Sequence, residues 1–150
     1  MNELTSIRVG HVSSVDETNC TVRVVFPDAS NMVSGPLQMI VPFTQKNHAY
    51  WLPDINEQVY CLLMGNGIEQ GICLGAVYSA DHQVICKNKD RYYVEFEGGA
   101  HILVDRAKKI IQILGFNGEL IKFKDGDIYI DTSGKIYSLV DTQPEQLREG

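Results

Sequence analysis

The sequence lacks the residue patterns that announce most kinds of chemistry. It has four cysteines, but no two are spaced C-x-x-C and no histidine lies at zinc-ligand spacing from any of them. It contains no G-x-S-x-G, no H-E-x-x-H and no phosphate-binding glycine loop. We therefore expect no catalytic residue, no metal site and no cofactor, and we predict that the protein is not an enzyme.

Long apolar runs and an excess of positive charge are missing as well. No run approaches the ~20 apolar residues that span a bilayer. The first residues show neither the basic region nor the apolar region of a secretory signal. We accordingly expect synthesis in a bacterial cytoplasm without a signal peptide. The formal net charge is -6, and residues 1–80 carry only three basic side chains, Arg8, Arg23 and Lys46. This balance argues against a nucleic-acid partner, because lysine and arginine supply the contacts to phosphate backbones.

What the sequence does contain is a succession of short β-strands. Runs of β-branched residues between turn formers predict five strands in the first 80 residues, the third of them inside an irregular, proline-containing connection. That number is typical of a small Greek-key barrel such as the OB-fold. We therefore predict an all-β protein with an OB-fold-like domain at 1–80. Its predicted strands are 7–15, 21–26, 37–41, 59–64 and 71–78.

The pattern changes after residue 80. Residues 81–91 are polar and predict a linker, and residues 141–150 predict a polar tail. Between them, turn residues recur every ~8 to 10 positions, a spacing typical of regular short strands. Those strands are predicted at 92–97, 100–104, 109–114, 119–124, 127–131 and 135–140.

Each of these C-terminal strands alternates, so each presents one narrow apolar face. About 50 such residues are too few to bury that face alone, and no helix or disulfide pattern covers it. We predict that three identical chains intertwine at 92–140 as a short β-helix or β-prism and turn these faces toward one axis. The alternative is a monomeric β-meander packed on the first domain. The predicted trimer core is Val94, Phe96, Ile102, Val104, Ile111, Ile113, Ile121, Phe123, Ile128, Ile130 and Ile136.

The cysteines leave two interpretations open. Cys20, Cys61 and Cys73 fall inside apolar runs, where a free cysteine behaves as a small hydrophobic residue. Reduced core thiols are one interpretation, consistent with a protein made in a cytoplasm. The other is a disulfide between Cys61 and Cys73 across a hairpin.

Several motifs in fixed order carry a resemblance to a known family. They begin with RVGHVSSVD at 8–16 and TVRVVFPD at 21–28, and continue with MVSGPL at 32–37, YWLPDINEQV at 50–59 and LGAVYS at 74–79. Together they resemble the phage baseplate assembly protein V family, the central spikes of contractile tails, and the related spike protein of type VI secretion. The family usually has glycine where Asn56 stands, and asparagine also tolerates positive φ. Trp51 and Leu52 we interpret as core anchors before the turn at Pro53 and Asp54.

The resemblance implies a structural role in an injection device. It implies a homotrimer whose OB domains form a collar against a tail hub protein and whose C-terminal segments form a needle that breaches the target cell envelope. Some family members bind iron through a terminal H-x-H pair, which this sequence lacks, so we expect a separate small tip protein at the C-terminal end. Phage tail, phage-tail-like bacteriocin and other injection devices remain open. The alternative function is a monomeric OB-type binding module for single-stranded nucleic acid or a protein adaptor.

Overall fold

The computed structural model describes residues 5–65, 67–139 and 147–149, and these form an all-β protein. The chain divides into two compact units, Met1–Gln83 and Val84–Gly150. Within the described residues, no helix is long and apolar enough to cross a lipid bilayer.

The first unit is a closed barrel. Its strands follow the order β1-β5-β6-β4-β2, and a further β1–β2 pairing closes the ring. The short β3 pairs only with the end of β2, and β4 runs parallel to β6 while the other pairings are antiparallel. The strands are β1 (Thr5–Asp16), β2 (Thr21–Phe26), β3 (Met32–Val33), β4 (Leu37–Met39), β5 (Gln58–Met64) and β6 (Gly71–Gly75).

Alternation along the barrel strands fills the interior. Inward positions of β2 and β5 are fully buried, and the largest fully buried side chains of the barrel are Phe26 of β2, Leu37 of β4 and Leu63 of β5. The carboxylate of Asp16 starts the β1–β2 turn by accepting from the amides of Thr18 (3.0 Å) and Asn19 (3.1 Å). These bonds give the turn backbone partners that it would otherwise lack, as aspartate commonly does in turns.

The second unit is an antiparallel meander of five strands, each paired with the next, followed by a separate pair of strands. The five-stranded sheet has the order β11-β10-β9-β8-β7, and a separate two-stranded sheet pairs β12 with β13. Its β10–β11 turn, Asp125 and Gly126, has positive φ at both residues (54° and 87°), as the common two-residue hairpin turn requires. The strands are β7 (Arg91–Glu95), β8 (His101–Asp105), β9 (Ile110–Leu114), β10 (Leu120–Lys124), β11 (Asp127–Asp131), β12 (Tyr137–Leu139) and β13 (Leu147–Glu149).

The all-β class and the OB-like barrel agree with the sequence prediction, and the C-terminal segment forms an antiparallel sheet. The strand at Met32–Val33 was not predicted, because two exposed residues carry no periodicity. The predicted tail at 141–150 contains the strand Leu147–Glu149, while 141–146 and 150 lie outside the described residues, as do Val140 of the predicted last strand and Asn66 between the predicted strands 59–64 and 71–78. The intertwined trimer stays a prediction.

Candidate assembly surfaces

Nine of the eleven predicted trimer-core residues line one face of the five-stranded sheet. Strand register aligns them in two continuous rows, because each residue lies opposite a partner on the next strand. We call these two rows the isoleucine face. The first row is Val94, Ile102, Ile113, Ile121 and Ile130; the second is Tyr92, Val104, Ile111, Phe123 and Ile128.

The observed rows differ from the predicted trimer core at three residues. Phe96 follows the end of β7 and Ile136 precedes β12, so both lie outside the rows. Tyr92 belongs to the second row, opposite Val104, and was absent from the predicted core. The alternation of β7 was its sequence signal, since Tyr92 precedes Val94 by two positions.

The isoleucine face has no cover in the described chain. Except for the half-buried Val94, its side chains are exposed, from 37% at Val104 to 66% at Tyr92. Over residues 84–137, Ala100 is the single buried apolar residue. An apolar surface of this extent marks an interaction site in a folded protein.

The opposite face of the same sheet is chemically mixed. It carries the row Tyr93, Leu103, Gln112, Lys122 and Tyr129. The amide of Gln112 lies 2.9 Å from Nε2 of His101, whose ring centroid is 5.2 Å from that of Tyr93. Desolvation, with Glu95 nearby, raises the pKa of Tyr93. The two faces therefore differ in chemistry, although Tyr93, Leu103 and Gln112 of the mixed face are half-buried and most of the isoleucine face is exposed.

Ion pairs fix the first hairpin of this unit. Nε of Arg91 lies 2.9 Å from Oδ2 of Asp105, and Nε of Arg106 lies 2.9 Å from Oδ1 of Asp90. The backbone N–H of Arg106 also donates to the carbonyl of Asp90 at 3.0 Å. Arg91 lies directly opposite Asp105 in the strand register, and the pair of Arg106 with Asp90 lies next to it, so a slip in register would break both. This clamp was not predicted, because charge order alone does not reveal cross-strand partners.

The barrel exposes aromatic side chains on the connection between β4 and β5. Trp51 is 50% exposed, and Phe43 and Tyr50 are also exposed. The prediction that Trp51 is a core anchor is therefore wrong, whereas its neighbour Leu52 packs against the core. Both residues lie between β4 and β5, outside any strand, so no periodicity indicated which of the two apolar neighbours faces the core.

Hydrogen bonds hold this aromatic connection in place. The hydroxyl of Tyr50 donates to the carbonyl of Glu17 at 3.0 Å, and the amide of Ala49 donates to the carbonyl of Phe43 at 3.2 Å. Desolvation raises the pKa of Tyr50. Asn56 adopts a φ of 72° at the end of the connection, the conformation that a glycine or asparagine accommodates.

No cluster of side chains in the described chain suggests a metal site. Among residues 5–65, 67–139 and 147–149, no group of three or more histidine, cysteine, aspartate or glutamate side chains could hold a metal ion.

A small closed Greek-key barrel of this strand order defines an OB-type domain, and an antiparallel sheet follows it along the chain. Residues 8–78 match the family described as the type VI secretion system/phage-baseplate injector OB domain, and the barrel belongs to that family. The match implies a component of a phage-tail or type VI secretion baseplate, and the family is structural and not known for enzymes. No curated protein matched the sequence.

Proposed function

We propose that the protein is the homotrimeric central spike of a contractile phage tail or phage-tail-like particle. In this role it plugs the tube and pierces the target cell envelope when the sheath contracts. Its barrel forms a collar against the tail hub protein, and its C-terminal segments form an intertwined β-helix or β-prism. The work is mechanical, so it requires rigidity and no cofactor.

The isoleucine face is the observation that carries this proposal. Burying one such side chain completely contributes about 1.5–3 kcal/mol. Since most of these ten residues retain roughly half of their exposure, covering the face in an assembly contributes on the order of 10 kcal/mol per chain. A surface of that energy is costly to leave in water and sufficient to hold subunits together.

The free edges of the sheet support the same conclusion. In the five-stranded sheet, β7 and β11 each pair on one side only. Unpaired edges are templates for another chain, and natural proteins cover or disrupt them. Neighbouring copies of this segment would satisfy both edges and cover the isoleucine face in one arrangement. A threefold arrangement is the one implied by the resemblance to spike proteins.

The remaining partners follow from the same role. The exposed aromatic connection, Phe43, Tyr50 and Trp51, suits a hub contact, because tyrosine and tryptophan are enriched where interfaces derive most of their energy. A small tip protein at the C-terminal end is part of the proposal because the sequence lacks the H-x-H pair that binds iron in some family members, and contact with the envelope is transient. Residues 1–80 carry seven acidic against three basic groups, which disfavours nucleic acid as a partner of the collar.

The solution mass of the full chain tests the proposal. Three copies of the 16.8 kDa chain give about 50 kDa by light scattering, and an intertwined trimer keeps that mass on dilution below micromolar concentration. A stable species of one chain mass would overturn the trimer and favour the monomeric OB-type binding module.

A matched pair of variants locates the interface. Ile130 and Tyr129 are neighbours on β11, are similarly exposed (53% and 48%) and point to opposite faces. Ile130→Asp places a charge on the isoleucine face and should dissociate the trimer, whereas Tyr129→Asp should leave its mass unchanged. Equal behaviour of the two variants contradicts the assigned face.

A further inference from the structure

Cys61 and Cys73 form a facing pair of thiols inside the barrel. They are direct partners across the antiparallel β5–β6 pairing. Both are fully buried free cysteines. Their neighbours Val59 and Leu63 on β5 are also fully buried, so the two thiols lie on the inward face of the sheet. Nothing in the proposed structural role uses them.

This register places the two residues within disulfide reach. Directly opposed residues of an antiparallel pair have Cα atoms about 4.5 or about 5.5 Å apart, depending on the pair type. Both values lie within the roughly 4.4–6.8 Å found for disulfides. A register shift between Tyr60 and Cys61 adds local freedom, because irregular pairs are less constrained than a regular ladder.

We infer that Cys61 and Cys73 form a redox-dependent staple, which is a dithiol in a reducing compartment and closes to a disulfide when the protein meets a small peroxide. This assignment does not depend on the proposed spike role. It predicts that the barrel is more stable in the oxidised form than in the reduced form.

The two thiols have different roles in the proposed oxidation. Their mutual hydrogen bond lowers the pKa of Cys73, and the same bond, with burial, raises the pKa of Cys61. Cys73 is therefore the thiol that ionises first and acts as the nucleophile. A peroxide suits a buried pair because it is small and uncharged.

The reaction with hydrogen peroxide balances in two steps. The Cys73 thiolate attacks one peroxide oxygen, the O–O bond breaks, and the departing hydroxide takes up the proton that Cys73 had released, so the products are a sulfenic acid and water. The Cys61 sulfur then attacks the Cys73 sulfur, the S–O bond breaks, and the hydroxyl leaves as water with the Cys61 proton. Two thiols are oxidised to one disulfide, and one peroxide is reduced to two waters.

The closed staple would tie two strands that define the barrel. Cys73 lies opposite Met39 in the parallel β4–β6 pairing as well as opposite Cys61 in β5. A disulfide here restricts the unfolded chain across the β5–β6 hairpin. We expect the unfolding midpoint of the barrel to rise by roughly 10 °C on oxidation.

Thiol counting on the full chain tests the inference. The protein is purified with reductant, freed of it, treated with equimolar hydrogen peroxide while folded, then denatured and alkylated with iodoacetamide. Intact mass should show all four cysteines alkylated before oxidation and two afterwards, and peptide mapping should find Cys61 joined to Cys73. Added reductant should reverse both this count and the rise in the unfolding midpoint.

Controls separate the staple from other oxidation. Cys86→Ala should still lose two alkylation sites on oxidation, whereas Cys73→Ala and Cys61→Ala should lose the cross-link. Four alkylated cysteines after treatment, a link through Cys20 or Cys86, or an unchanged unfolding midpoint would each overturn the inference. If a core variant fails to fold, the thiol count and the unfolding midpoint of the wild-type chain still decide whether the staple forms. Light scattering of the same sample tests the spike role separately.

Discussion

The guanidinium of Arg91 and the buried carboxylate of Asp105 join the two strands of the first C-terminal hairpin. Nε of Arg91 donates to Oδ2 at 2.9 Å, and Oδ1 accepts from the amides of Ala107 (3.0 Å) and Lys108 (2.9 Å). Asp105 is 2% exposed. One carboxylate therefore holds the β7–β8 pairing with one oxygen and starts the next turn with the other.

Removing the arginine should destabilise this hairpin. In Arg91→Ala the buried carboxylate keeps its amide donors but loses its charged partner, and an unpaired buried charge is among the more costly defects. Arg106→Ala is the matched control, since its side chain is 71% exposed and pairs with a more accessible carboxylate. We expect a clearly lower unfolding midpoint for Arg91→Ala, measured by circular dichroism, and little change for the control. Equal effects would mean that the buried pair is no more important than the exposed one.

Acid should weaken the same hairpin. The Lys108 amide first, then the Arg91 side chain, hold the pKa of Asp105 below its ordinary value of 3.8. The stabilisation from a depressed carboxylate is complete above its unfolded pKa and is lost as pH falls through the folded pKa. Unfolding midpoints between about pH 6 and about pH 2 should therefore fall on the acid side in the wild type, and less steeply in Asp105→Asn. An identical slope in the variant would refute this assignment.

Gly10 should not tolerate a side chain. A Cβ at this position would lie 2.5 Å from both Val24 Cγ1 and the Val25 carbonyl oxygen. Gly10→Ala should therefore destabilise the barrel by about 1–3 kcal/mol in urea unfolding, as overpacking does. Gly67→Ala is the control, because a Cβ there would meet nothing within 4 Å. The packing argument fails if the two variants have equal stability.

Trp51 should behave as a surface residue. It is the only tryptophan in the chain, so its fluorescence reports one site, and we expect the red-shifted, readily quenched emission of an exposed indole. Trp51→Ala should change the free energy of unfolding by about 0.5 kcal/mol, whereas Leu52→Ala should lower it by about 2 kcal/mol. Blue-shifted emission that acrylamide barely quenches would restore the buried interpretation.

The two-residue periodicity of the strands and the turn-forming residues between them made much of the fold predictable. Alternation in the C-terminal strands, bounded by turns such as Asp125 and Gly126, placed Ile102, Ile113 and Ile121 on one face, and the strand register bears this out. Periodicity predicts nothing where the chain is irregular. Trp51 lies in such a segment, and its large apolar side chain favoured the core although its neighbour Leu52 occupies that place.

Pairings between distant residues were the least predictable feature. The ion pairs of Arg91 and Arg106 depend on the register of two strand ends, which residue order does not determine. Reduced core thiols and a disulfide between Cys61 and Cys73 were the two open interpretations, and the structure has two free thiols directly opposite each other. The sequence pattern of one chain shows that the isoleucine face needs a cover, but it does not identify the molecule that provides it.

The two units also differ in how soon they can form during synthesis. Closing the barrel requires Thr5 to pair with Met64 and β4 to pair with β6, whereas the C-terminal sheet joins each strand only to its successor. Contacts between distant segments slow folding, and ribosomes add about 5–20 residues each second. The first strand therefore waits several seconds for its last partners. During that interval its unpaired edge is open to aggregation and to holding chaperones, while each later hairpin can close almost as soon as it emerges.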